Sequence, residues 1–181
     1  TCDDKVFIFC PSTAVYGIGG LLGNDHVIEY NDVIRCGLPL DKHPGAAGDM
    51  GVMGSYGDPT YRAIYRYNRF SEIGVNLDGG HAAIRLDDAI SGMVIYGNIF
   101  DRCGDNLNPR GGMGALNYNA GRDNICDNNI FIRCPKVQTG GFNPNNDCWE
   151  RILKKGTMTD PLYLSRYPDL KNYQKDGVIS T

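Results

Sequence analysis

Four short segments of this 181-residue chain carry one pattern, and that repeat limits the fold more than any other feature. They are Ile28 to Cys36 (IEYNDVIRC), Tyr65 to Ile73 (YRYNRFSEI), Ile95 to Cys103 (IYGNIFDRC) and Cys126 to Cys134 (CDNNIFIRC). Aligned on Asn31, Asn68, Asn98 and Asn129, each has an apolar residue or Cys at −3, Val or Phe at +2, and Cys or Ile at +5. The steps between the asparagines are 37, 30 and 31 residues. Repeats of this length mark units that cannot bury an apolar face alone and must stack on one another.

The composition of each unit selects strands over helices. A helical repeat would place apolar residues at three-and-four spacing over ten or more positions. Here the runs are short, alternate with period two, favour Ile, Val, Phe and Tyr, and are punctuated by Gly, Asn and Asp. About 30 residues with three short strands and no intervening helix fit a right-handed parallel β-helix, an all-β solenoid of about four to five coils. Each strand then pairs with its counterpart one coil away, about 4.8 Å along the axis. The Asn fits the corner between two strands. It tolerates left-handed backbone angles, and its amide can bond the next coil. An antiparallel sandwich is the alternative, but it does not require the same Asn at the same offset. Phe7 and Cys10 lie 26 residues before Val33 and Cys36, so Lys5 to Cys10 reads as the last strand of an earlier coil in the same columns. The coils are expected over 1–137, with 138–181 an irregular C-terminal tail packing on or capping them.

The net charge of −3 argues against nucleic acid and is too small to imply a basic partner. No apolar run reaches 18 residues, so no membrane span is expected. An open end of such a solenoid exposes unpaired strand edges, so preceding coils or another chain are expected over the N-terminal edge. Among the seven cysteines, Cys10, Cys36, Cys103 and Cys134 fall in one inward column, where they pack as small apolar groups. Cys103 and Cys134, one coil apart, are also within disulfide reach. No cofactor is expected. Asp and Asn corners could take calcium, although no loop has EF-hand spacing.

Several motifs resemble a known family, in order, over about residues 20–175. The first is Gly23-Asn24-Asp25-His26-Val27-Ile28-Glu29-Tyr30-Asn31. Asp49-Met50-Gly51-Val52-Met53 stands where that family usually reads Asp-Ala-Gly-Ala-Ile-Tyr. Ile84-Arg85-Leu86-Asp87-Asp88-Ala89-Ile90-Ser91-Gly92 and Val94-Ile95-Tyr96-Gly97-Asn98-Ile99-Phe100 follow. Gly121-Arg122-Asp123-Asn124, Asn128-Asn129-Ile130-Phe131 and Ser165-Arg166-Tyr167-Pro168-Asp169-Leu170 complete the set. These resemble secreted right-handed parallel β-helix proteins of carbohydrate-active type, nearest to glycoside hydrolase family 141. The resemblance implies an extracellular setting and a polysaccharide partner. It also implies a groove along one sheet that holds Asp49 to Met53, His81 to Asp88 and Ala115 to Asn119.

Glycoside hydrolysis needs two carboxyl groups about 5–5.5 Å apart for retention or about 6.5–9.5 Å for inversion. The resemblance puts Asp49 and the Asp87-Asp88 pair at acidic motifs, as acid and base or nucleophile. His81, Arg85, Asn117 and Asn119 are the expected sugar-binding groups; Tyr56, Tyr61 and Trp149 could stack on rings. Each has a structural reading as well. Asp-Asp followed by Ala-Ile-Ser-Gly is a good turn, and Arg85 can pair with a neighbouring Asp. The chain also departs from the family here: its acidic pair is reduced to Gly48-Asp49, and its Gly-Gly-Gly-Arg-Asp reads Asn119-Ala120-Gly121-Arg122-Asp123. A non-catalytic, carbohydrate-binding or self-assembling structural solenoid is therefore the competing reading.

Overall fold

A computed structural model describes residues 7–9, 16–19, 24–36, 49–55, 62–74, 80–104, 113–154 and 160–171. The described chain is mostly strand. Fourteen strands fall into three parallel sheets, each holding every third strand. Sheet A orders β1 (Phe7–Phe9), β4 (Asp32–Ile34), β7 (Arg69–Ile73), β10 (Ile99–Cys103) and β13 (Ile130–Ile132). Sheet B orders β2 (Tyr16–Gly19), β5 (Asp49–Ser55), β8 (Gly80–Leu86), β11 (Leu116–Ala120) and β14 (Gln138–Phe142). Sheet C orders β3 (Val27–Glu29), β6 (Ile64–Arg66), β9 (Val94–Tyr96) and β12 (Ile125–Asp127).

The register explains the repeat. Val33 lies opposite Phe70, Phe70 opposite Phe100, and Phe100 opposite Phe131. The last three rings stack face to face, with both centroid separations 4.9 Å. Cys103 pairs with Ile73, and its N–H donates to Cys134 Sγ at 3.4 Å, which continues the second column. These columns join Tyr65 and Ile95 of sheet C and Ile84, Leu86, Leu116 and Tyr118 of sheet B in one buried cluster. Side chains of all three sheets therefore share one core.

The asparagines form a ladder, for a reason only half anticipated. Asn31 donates from its backbone N–H and its Nδ2 to Asn68 Oδ1, at 3.1 and 3.0 Å. Asn68 repeats this with Asn98, and Asn98 with Asn129. Each Nδ2 also donates to a strand carbonyl. The left-handed residue, however, is the one before the asparagine: Tyr30, Tyr67, Gly97 and Asn128, with φ between 52° and 64°. The asparagine thus serves through its side chain and not through an unusual backbone. Gly97 suits its place doubly, because a Cβ there would lie 2.8 Å from Tyr67 Cε1.

Three further expectations need correction. Ile8, not Phe7, lies opposite Val33, so the first strand is displaced by one residue from the expected register, and Cys10 lies outside the described residues. Strand pairing continues past residue 137 to Phe142, which pairs with Ala120. The segment beyond is not wholly irregular. It contains α1 (Cys148–Lys154), α2 (Pro161–Arg166) and a 3-10 turn, Pro168–Leu170. Trp149, Ile152, Tyr167 and Leu170 bury against Ala89 and Ala120. Asp160 caps α2 by accepting from the Leu162 and Tyr163 N–H groups, with Pro161 at the first helical position. Tyr163 and Tyr167 donate their hydroxyls to Asn24 and Asp25, so this tail spans several repeats. Among the described residues, no helix is long and apolar enough to cross a membrane.

Candidate functional site

Strand alternation aims the residues of sheet B. In β11, Leu116, Tyr118 and Ala120 are buried while Asn117 and Asn119 are half-buried. Tyr118 therefore points into the core, where burial, with Cys126 beside it, pushes its phenol well above the usual range. Arg85 lies opposite Asn117, and Asn117 opposite Thr139. Asn117 Nδ2 donates to Thr139 Oγ1 at 3.0 Å, and the Thr139 hydroxyl donates to the Met113 carbonyl. The result is a ladder of amide, hydroxyl and guanidinium groups across three strands.

Arg85 and Asp87 are committed to each other. Arg85 Nη2 lies 2.9 Å from Asp87 Oδ2, and both side chains are buried. Asp87 Oδ1 accepts from the Asp88 N–H at 3.0 Å and from Asn119 Nδ2 at 2.7 Å. Asn119 Oδ1 in turn accepts from Asn146 Nδ2 of the tail. Asp88 takes a left-handed φ of 49° and pairs with Arg151 of α1 at 2.7 Å. The turn is closed by Ile90 N–H donating to the Asp87 carbonyl, and by the Ser91 hydroxyl donating to that of Ala89. Both Asp87 oxygens are thus engaged within the protein, by a guanidinium and two N–H donors.

The two acidic positions are not brought together. Asp49 opens β5 opposite Gly80, whereas Asp87 follows the end of β8, seven positions further on. At about 3.3 Å per residue that offset is roughly 23 Å along the strand, beyond both glycosidase separations. Sequence motifs placed both aspartates on adjacent repeats, but the register sets them at opposite ends of neighbouring strands. His81 lies opposite Met50, near the Asp49 end and away from Arg85, Asn117 and Asn119. The register thus gathers Arg85, Asp87, Asn117 and Asn119, and leaves out Asp49 and His81.

Other candidates resolve differently. Trp149 is buried in the tail cluster, its indole N–H donating to the Asn143 carbonyl, so it presents no open ring face. Tyr56 and Tyr61 lie outside the described residues. Among the described residues no group of three or more His, Cys, Asp or Glu side chains is placed to hold a metal ion. Thr139, Asn146 and Arg151 belong to this region and were missed from sequence. Thr139 sits past the expected last coil, and tail residues offer no repeat to align. No known protein family, curated protein or solved structure matches the chain.

Proposed function

We propose that the three sheets are the faces of a right-handed parallel β-helix, and that the chain is an extracellular carbohydrate-binding domain that does not hydrolyse its ligand. Repeat-to-repeat pairing in all three sheets and the single shared core support the solenoid. The motif resemblance to carbohydrate-active β-helix proteins supports the polysaccharide and the extracellular setting. Among the described residues no strand pairs with the outer edge of β1, which a preceding repeat or another chain would cover.

The observation that carries the non-catalytic reading is the Arg85–Asp87–Asn119 network, which consumes the best-placed carboxylate. Asp88 is paired with the half-exposed Arg151. What remains for a ligand is the half-buried amide of Asn117 beside Thr139, which suits sugar hydroxyls. The test is binding and turnover together on a panel of plant and algal polysaccharides. Wild type should bind at least one without releasing reducing ends, and Asn117→Ala should weaken that binding. Turnover that Asp87→Asn abolishes would restore the hydrolase reading, and no binding across the panel would remove the carbohydrate reading.

A further inference from the structure

The cysteine column does not end as it begins. Cys36 and Cys103 are buried, whereas Cys134, on the last rung, is partly exposed. It follows β13, the edge strand of sheet A, so no strand of that sheet lies over it among the described residues. Cys103 is its nearest partner, with its backbone N–H 3.4 Å from Cys134 Sγ. Cys103 lies two residues past Asp101 and Cys134 two past Ile132, the strand partner of Asp101, so the two hold equivalent places one repeat apart, where a spacing of about 4.8 Å falls within the Cα range a disulfide spans. Cys103 and Cys134 are both free thiols.

The two thiols differ in character. The Cys103 thiol hydrogen-bonds to Cys134, and that bond, against partial burial and with help from the Cys103 N–H, draws Cys134 down to about 7. Burial, together with the same contact, drives Cys103 far up. The one nearby carboxylate, Asp101, opposes the Cys134 thiolate, but it is gripped at 2.6 and 2.7 Å by Arg133. A partly exposed sulfur, more readily ionised than its neighbour, beside an enclosed thiol is the arrangement of an attacking and a resolving cysteine.

We propose that Cys134 and Cys103 are a reactive dithiol, with low-molecular-weight disulfides as its oxidant. The Cys134 thiolate attacks one sulfur of the small disulfide, forming a mixed disulfide and expelling one thiolate. Cys103 then gives up its proton and attacks Cys134 Sγ, expelling the second thiolate. The small disulfide is reduced to two thiols, and the two cysteines are oxidised to one cross-link between the last two repeats. This inference stands on the column geometry and not on carbohydrate binding.

The experiment exposes the reduced full chain to oxidised glutathione and reads intact mass and peptide maps. Wild type should lose two hydrogens, mapped to a Cys103–Cys134 link. Cys103→Ser should instead retain one glutathionyl group on Cys134, and Cys134→Ser should show neither. Because Cys103→Ser removes a buried group, brief alkylation of wild type provides a second reading: Cys134 should be labelled before Cys103, and protected after oxidation. The proposal is overturned if exposed Cys126 takes up glutathione while Cys134 stays unmodified, or if the Cys134 mixed disulfide persists in wild type without resolving.

Discussion

The corner between sheets C and A and the turn that ends β8 solve the same problem, redirecting a strand while keeping its polar groups satisfied, in opposite ways. At the first corner every repeat uses the same residue in the same role, Asn31, Asn68, Asn98 and Asn129, each passing its amide to the next. At the second the answer changes from repeat to repeat: Asp87 meets Asn119, and Asn119 meets Asn146 of the tail. Repetition marks residues that serve stacking. Singular residues mark places where one repeat meets something outside the stack, which here includes α1. A singular buried acid is therefore no sign of catalysis until its partners are known.

The largest expected effect tests the repeated side of this comparison. Phe100 sits between Phe70 and Phe131 with no exposure, so Phe100→Ala opens a cavity in mid-stack. It should cost about 3–5 kcal/mol in denaturant unfolding. A loss near zero would mean that the column is not a continuous core.

The singular side should respond almost as strongly, but in a way that a second substitution can repair. Arg85→Ala leaves Asp87 buried with its hydrogen bonds and no cation, which should cost about 3 kcal/mol. Arg85→Met with Asp87→Leu removes both charges and should recover most of that loss, as buried pairs commonly allow. If the double variant is as unstable as the single one, the pair is serving more than charge compensation.

Most of the stacking was legible in sequence because a two-residue alternation at a fixed offset from Asn fixes which side chains share a column. The Phe and Cys columns follow from it directly. The register of the first strand differs by one residue from the expected one because Lys5 to Cys10 contains no Asn to anchor the offset. The candidate site was less legible for a related reason. Asp49 and Asp87 sit in segments without the repeated motif, so only the pairing of Asp49 with Gly80 reveals the seven-position offset. For Arg85 the sequence leaves a choice between a ligand and a neighbouring carboxylate, and in the structure its guanidinium is buried against Asp87. The tail contacts lay beyond sequence reasoning, since Asn146 and Arg151 reach Asn119 and Asp88 through tertiary packing alone.

The ladder gives an intermediate effect. Asn98 Oδ1 accepts from Asn68 N–H and Nδ2, and its Nδ2 donates to the Tyr65 carbonyl at 2.8 Å. Asn98→Ala leaves these buried groups unpaired and should cost about 1–3 kcal/mol. Asn98→Asp would lose the donor and keep the acceptor, so it separates the two halves of the rung. Equal stability of wild type and Asn98→Ala would show that the repeated amide is decorative.

The smallest effect lies outside the core, where a second repeated position carries charge instead of amides. Arg35, Glu72 and Arg102 occupy equivalent left-handed positions, and Glu72 joins the other two: Arg35 Nε is 2.8 Å away, and Arg102 donates to the second oxygen. The hydrogen bond from Arg35, and then the nearby charge of Arg102, hold the Glu72 carboxyl below its ordinary 4.5. A lowered folded value means the stabilisation is present at neutral pH and is lost as pH falls below that ordinary value. The site is partly exposed, so Glu72→Gln should cost less than about 1 kcal/mol at neutral pH. That difference should shrink in acid and in high salt, because both weaken the same charge interaction. Unfolding midpoints of the two proteins, taken at neutral pH, below 4.5 and with added salt, check this. A constant difference under all three conditions would assign the Glu72 contribution to packing, and would leave the outer corner with no electrostatic counterpart to the asparagine ladder.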